Sequence, residues 1–237
     1  MELSAKIANK FKIVLTILTC IASAYLLFVG VMEFFWDYRL FIIDFDESYG
    51  LDRYTILDII NIIYHIFHVF LPAFVLMKLF VPNKTLIHKI IGAVLGSGGT
   101  VQLVLSIMIS SKEIAQLIYW RTASFYQVYT FLTDSVDSLI IPVIVILIGI
   151  NTFKPFIKNR AAIIICAVGF VYKTGVVLIT VFLIERLFYE NYMSDFLLRF
   201  QWERITGNLL MNTAVFLLCY IALKRNKKKE KESLPLQ

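Results

Sequence analysis

Six apolar stretches, each about 20 residues long, decide what this chain can fold into. A helix needs roughly 20 apolar residues to cross the hydrocarbon core of a bilayer. The qualifying stretches are 12–35, 56–80, 90–110, 131–150, 161–186 and 207–224. Of the 237 residues, 59% are hydrophobic and 17% are charged, a surplus of apolar surface that lipid can solvate. The sequence therefore predicts an all-α integral membrane protein, with one transmembrane domain over residues 1–224 and a basic cytoplasmic tail over 225–237.

The distribution of basic residues predicts the orientation of these spans. Fifteen of the 23 Lys and Arg residues lie in the N-terminal segment, the second and fourth connections, and the C-terminal tail. The other three connections and their flanks hold seven basic and thirteen acidic residues. Cytoplasmic loops carry the excess of Lys and Arg. We therefore expect a six-transmembrane-helix bundle built of three in–out–in hairpins, with both termini in the cytoplasm.

The same charge pattern bears on partners and location. The net charge of +6 is spread over short connections between apolar runs, which is typical of membrane topology and not of a nucleic-acid-binding groove. We expect the lipid bilayer as a partner and no nucleic acid. Usage rich in Ile and Lys and poor in Ala is typical of a low-GC bacterium, so we expect a bacterial plasma membrane.

The three external connections, 36–55, 111–130 and 187–206, each contain one of the three tryptophans, Trp36, Trp120 and Trp202. Amphipathic aromatic side chains prefer the headgroup layer of a membrane. These connections are therefore predicted to lie at the outer interface and to be partly helical. A ligand-binding vestibule is the alternative interpretation.

Polar residues recur at one depth in the predicted bundle. At about 1.5 Å per residue, a side chain twelve positions from the cytoplasmic end of its span lies about 18 Å deep. The residues at or near this level form a predicted polar site, and they are His65, His68, Gln102, Asp134, Asp137, Lys173 and Asn212. Ionisable residues inside a membrane are costly and usually face the bundle interior.

Lys173 is the most informative member of this set, because long apolar runs flank it on both sides. Asp137, at matching depth on the preceding helix, is its predicted partner. Two interpretations stay open: a purely structural buried ion pair, and a pair that takes part in ion, proton or substrate handling.

His65 and His68 are three residues apart and so share one face of a helix. Two such side chains can join a metal site or a proton relay, and the preferred interpretation is a packed, hydrogen-bonded pair. The remaining histidine, His88, lies in a predicted cytoplasmic loop. We predict no metal and no cofactor.

The third span contains Gly92 and Gly96, which form a small-residue motif typical of close helix packing in membranes. An unwound helix, as at the midplane of some transporters, is the alternative.

No catalytic signature occurs in the sequence, so no catalytic residues are predicted, and an enzyme is the least favoured class. Three functions stay open. The first is a small transporter or channel-like protein in which Lys173 pairs and unpairs as access alternates. The second is a non-catalytic subunit or immunity-type protein that works by contact with a membrane or ATPase partner. The third is an intramembrane enzyme acting on a lipid. In size and topology the chain resembles the membrane subunits of small bacterial ABC exporters and of lantibiotic-immunity permeases.

Overall fold

The computed structural model describes residues 2–48, 53–81, 86–120, 125–180 and 195–224, and all regular structure in these ranges is helical. The helices are α1 (Glu2–Ser48), α2 (Arg53–Phe80), α3 (Leu86–Trp120), α4 (Phe125–Phe153), α5 (Asn159–Ile179) and α6 (Asp195–Leu223). The predicted all-α class is confirmed for the described part of the chain.

Five helices contain segments long and apolar enough to cross a membrane. They are Lys10–Arg39, Asn61–Phe80, Leu86–Ser111, Asn159–Ile179 and Ile205–Leu223. In α4 the described side chains give a shorter apolar segment, Ser138–Phe153. The chain is thus a multi-pass membrane protein with a lipid bilayer as its surroundings. The crossing by α4 and the in–out–in orientation of the hairpins stay predictions.

Several helices extend beyond the predicted spans. α1 continues to Ser48, although its apolar stretch ends near residue 35. No Gly or Pro lies between Gly30 and Ser48, so the sequence offers nothing that breaks the helix. α4 ends at Phe153, two residues before Pro155. Proline disfavours helical geometry in the residue before it, which explains this end. The predicted end of the fifth span, near 186, lies outside the described residues.

The helices pack in sequential pairs, α1 with α2, α3 with α4, and α5 with α6. α6 also contacts α1, α2 and α4 and therefore lies at the centre of the bundle. The core is built mainly from α2, α4 and α6, with Phe67, Leu71, Phe74, Ile144, Val145, Ile148, Val215, Leu218 and Cys219 among its buried side chains. Large apolar side chains are exposed on α1, α3 and α5, which suits contact with lipid.

Glycines bring α3 and α4 into direct backbone contact. A Cβ atom added at Gly149 would lie 2.7 Å from the Cα of Gly96 and 2.9 Å from the carbonyl oxygen of Gly92. One added at Gly99 would lie 3.0 Å from the carbonyl oxygen of Pro142. Numbering rises along one helix as it falls along the other, so the pair is antiparallel. The Gly92–Gly96 motif therefore serves close packing, and α3 runs unbroken through it.

The C-terminal end of α6 is capped by side chains from two other helices. The last carbonyl groups of a helix have no partner within it. The ammonium of Lys78 on α2 donates hydrogen bonds to the carbonyl oxygens of Ile221, Ala222 and Lys224, at 2.5–2.7 Å. The amide nitrogen of Asn151 on α4 donates to the carbonyl oxygen of Leu223 at 3.2 Å. The C-terminal ends of α2, α4 and α6 therefore lie together at one end of the bundle.

We expect Lys78→Met to lower the free energy of unfolding by about 2 kcal/mol, because three partly buried carbonyl groups lose their donor. Thermal denaturation of the purified protein in detergent measures this. Lys89→Met, which removes an exposed lysine, is the matched control and should leave the melting temperature unchanged. Equal melting temperatures for the two variants would contradict the capping role.

Candidate functional site

Matching faces of α1 and α2 create a polar contact inside the helix pair. Gly30 and Glu33 on α1 are three residues apart, as are His68 and His65 on α2. A Cβ atom at Gly30 would lie only 2.6 Å from the Cβ of His68, so the missing side chain lets α2 approach closely. Because the two helices run antiparallel, Glu33 then meets His65 one turn further along.

The imidazole of His65 is held between two carboxylates of α1. Its Nε2 lies 2.8 Å from Oδ2 of Asp37, and its Nδ1 lies 3.0 Å from Oε2 of Glu33. The Nδ1 contact has the distance of an ion pair but not the angle of a hydrogen bond. The side chains of His65 and Asp37 are 11% and 14% exposed, whereas that of Glu33 is 47% exposed. Asp37 is therefore the orienting partner, and Glu33 is the more accessible one.

His68 lies deeper than His65 and is only 1% exposed. Its ring packs edge-on against Tyr64, with centroids 4.3 Å apart, and against His65 at 5.5 Å. Neither ring nitrogen of His68 has a hydrogen-bond partner in the structure. The two histidines are thus packed together as predicted, but the expected hydrogen bonding is absent at His68. A buried polar group without a partner is unusual and calls for an explanation.

A pocket of about 590 Å³ lies beside these residues, between α1, α2 and α6. Its lining consists of Met32, Glu33, Trp36, Asp37, Asn61, Tyr64, His65, Asn208 and Met211. Met32, Glu33, Trp36 and Asn61 are exposed, and they mark the mouth of the pocket. The carboxylates and the imidazole of His65 face a space large enough for a hydrated ion or a small polar solute.

Lys173 on α5 reaches the same region and lies over the ring of Tyr64. Its Nζ lies 5.8 Å from the centroid of the Tyr64 ring, within the range of a cation–π contact. The Tyr64 ring therefore contacts this ammonium as well as both histidines. Of the predicted polar residues, the structure thus brings together His65, His68 and Lys173.

The other predicted residues lie on α3, α4 and α6. Gln102 on α3 is buried, and its Oε1 has no hydrogen-bond partner in the structure. Asn212 on α6 is buried one turn beyond Asn208, which lines the pocket. The side chains of Asp134 and Asp137 on α4 lie outside the described residues. The pairing of Lys173 with Asp137 therefore stays a prediction.

Glu33 and Asp37 are the functional candidates that the sequence analysis missed, because both were counted as charges near an external connection. A signal was present in the sequence. Gly30, Glu33 and Asp37 follow a spacing of three and then four residues, which puts them on one helix face. Trp36 was expected at the membrane interface or in a vestibule, and it lines the pocket. Trp202 is exposed, and the Trp120 side chain lies outside the described part.

The chemistry of this arrangement suits a cation better than an anion. Two carboxylates converge on one imidazole, and a second imidazole packs against the first. Carboxylate oxygens and neutral imidazole nitrogens are acceptors for protons and metal ions. Comparison of the chain with protein-family models, with curated proteins and with solved structures found no match.

Proposed function

We propose that this protein is a small membrane transport protein that carries a cation, with Glu33, Asp37 and His65 as its binding site. The observation that carries the proposal is the placement of His65 between two carboxylates on the wall of a pocket, within helices apolar enough to cross a membrane.

Energetics support this assignment. Ionisable groups inside a membrane cost about 2.5–3.5 kcal/mol each on insertion scales, so a cluster of them is by default functional. Here Glu33, Asp37 and His65 fall inside the apolar segments Lys10–Arg39 and Asn61–Phe80. Packing alone requires none of these charges, because apolar side chains of similar size fill such positions at lower cost.

Lys173 fits the same function as an internal counter-charge. Its ammonium lies over the ring of Tyr64, which also contacts His65 and His68. With the site empty, this ammonium offsets part of the negative charge of the two carboxylates. A bound cation supplies that charge instead and frees Lys173 to change partners, and this couples loading of the site to a rearrangement of α5.

The topology of the proposal follows the basic residues. The N-terminal segment, the connections that contain Lys84 and Lys158, and the C-terminal tail face the cytoplasm of a bacterial plasma membrane. The pocket then opens toward the outer face, because it lies at the opposite end of α2 from the capping residue Lys78.

Flux measurements on the purified chain in liposomes of phosphatidylethanolamine and phosphatidylglycerol test the proposal. We expect the protein to accelerate the entry of H⁺, K⁺, Mg²⁺ or Zn²⁺ over empty liposomes, each followed with a trapped indicator dye. Glu33→Gln should slow this entry by at least about tenfold, because a charged contact to the site is lost. Glu203→Gln, which changes an exposed carboxylate elsewhere on α6, is the control and should transport as the wild type does.

Wild-type rates no faster than empty liposomes for all four cations would overturn the proposal. Equal rates for Glu33→Gln and Glu203→Gln would remove the site from it.

A further inference from the structure

Three potential ligand atoms converge where α1 meets α2, and two of them belong to residues that line the pocket. One carboxylate oxygen of Glu33, one ring nitrogen of His65 and one ring nitrogen of His68 all lie within 4.8 Å of one another. In a tetrahedral site with bonds of about 2.0–2.1 Å, neighbouring ligand atoms are roughly 3.4 Å apart. Small changes of side-chain torsion angle are therefore enough to close these three atoms around one ion.

Asp37 completes the arrangement that metal-binding histidines usually show. Such a histidine binds the metal through one ring nitrogen and donates the other N–H to a carboxylate, which fixes its tautomer and orientation. The Nε2 of His65 lies 2.8 Å from Asp37, and its Nδ1 faces Glu33. The structure thus contains the orienting contact on one side of the ring and leaves the other side for an ion.

His68 provides an independent observation that points to a ligand. It is 1% exposed, and both of its nitrogens lack a hydrogen-bond partner. Burial in a membrane bundle offers it no bulk water. A bound metal ion satisfies the nitrogen that faces Glu33 and His65.

We propose that Glu33, His65 and His68 bind a divalent transition-metal ion of the Zn²⁺ class, with Asp37 as a positioning residue. The proposal rests on the proposed transport function and names its substrate. Two imidazoles and one carboxylate suit Zn²⁺, Co²⁺ or Ni²⁺, whereas Mg²⁺ and Ca²⁺ prefer oxygen ligands alone. Three protein ligands leave a fourth position toward the pocket, as in sites where water or a substrate exchanges.

The charges near the site agree with a dication. Glu33 and Asp37 together supply two negative charges, which exceed the single positive charge of Lys173 over the Tyr64 ring. The half-exposed carboxylate of Glu33 is the ligand nearest the mouth of the pocket, so it meets an entering ion first, while buried His68 is the innermost ligand.

Binding of Zn²⁺ and Co²⁺ to the full chain tests the proposal without reference to transport. The protein is purified in detergent with a tag that contains no histidine, since the chain has only three histidines of its own. We expect one equivalent of Co²⁺ to produce the visible absorption bands of cobalt bound to nitrogen ligands. Added Zn²⁺ should displace the cobalt and remove these bands. Isothermal titration calorimetry gives the affinity.

Matched variants locate the site. Asp37→Asn should weaken Zn²⁺ binding by about 10–100-fold, the usual effect of losing an orienting carboxylate. Glu33→Gln and His68→Gln remove ligands and should weaken it further. The controls are Glu203→Gln and His88→Gln, because Glu203 is exposed on α6 and His88 stacks on Phe74 at 4.1 Å. Both controls should bind as the wild type does.

Wild-type protein that binds neither ion at one equivalent would overturn the metal site even if every variant failed to fold. The metal site would also be overturned if the His88→Gln variant lost Zn²⁺ binding while the His68→Gln variant kept it. Metal binding without cation flux in liposomes would leave the metal site standing but remove the transport function, and with it the ion's role as a substrate. Flux of H⁺ or K⁺ without metal binding would overturn the metal site and leave the transport function standing.

Discussion

His65→Gln is expected to lower the free energy of unfolding by about 3 kcal/mol. The imidazole contacts two carboxylates, and removing the partner of a buried charge typically costs 3–5 kcal/mol, because that charge is left uncompensated. We expect the lower end of this energy range. The Asp37 carboxylate is nearly buried, but the Glu33 carboxylate is half exposed and stays partly hydrated. The two carboxylates of α1 then face each other across the site without the imidazole between them. Thermal denaturation in detergent, with gel filtration to confirm a single species, measures the loss.

The triple variant Glu33→Gln, Asp37→Asn, His65→Gln separates a structural role of this cluster from a functional one. It replaces all three ionisable groups with amides that can hydrogen-bond to one another, so most of the lost stability should return. Cation flux should not return, because no charge is left to bind the ion. A triple variant that is stable and also transports at the wild-type rate would show that the cluster only holds α1 against α2. Additive losses of stability would show that the three groups do not interact.

The helical architecture was largely predictable from the sequence. Hydropathy indicates which segments can cross a membrane, and helix-breaking residues indicate where helices end. Runs of apolar residues gave the membrane-crossing segments, and five of the six are found in the structure. The full helix lengths follow instead from where Gly and Pro occur. α1 therefore runs to Ser48, since the polar and aromatic residues after 35 do not break a helix. Hydropathy alone predicts that helices end at the membrane boundary, although no residue there breaks the helix.

The candidate site was only partly predictable, because it depends on which faces of two helices meet. His65, His68 and Lys173 stood out as polar residues in apolar surroundings. Glu33 did not, since a carboxylate near the end of an apolar stretch looks like a topology signal. Its role depends on Gly30, which brings α1 close enough to α2 for Glu33 to reach His65. That contact is a property of the packed pair and not of either helix alone.

The predicted depth of a residue in the membrane was a weaker guide to the site than the contacts between helices. Depth does not say which face of a helix is turned toward its neighbour. His68, Gln102 and Asn212 are all buried, so residues of one predicted level do face the interior. The pocket nevertheless includes Asn61 and Asn208 and is not confined to that level. Residues at equal depth on different helices come into contact only if each helix turns that residue toward the interior of the bundle.

Gly149→Val is expected to cost more than about 3 kcal/mol of stability, because α3 leaves no room for a side chain at this position. Overpacking of a well-packed interior typically costs 1–3 kcal/mol, and more where the backbone itself must move. Here the first added atom already meets the Cα and nitrogen of Gly96 and the carbonyl oxygen of Gly92, all within 3.0 Å and all backbone. The two helices can relieve the clash only by moving apart, which gives up their shared packing surface.

A graded series sharpens this test. Gly149→Ala should lower the melting temperature more than Gly96→Ala, whose added Cβ would lie 3.3 Å from the Cα of Gly149 and needs only a small shift. Gly175→Val is the matched control, since an added Cβ there meets nothing within 4 Å. It should melt at or slightly above the wild-type temperature, because glycine is the poorer helix former. If Gly149→Val and Gly175→Val melt together, α3 and α4 do not meet at these glycines. If only the position 149 variants unfold early, the α3–α4 backbone contact holds this half of the bundle together.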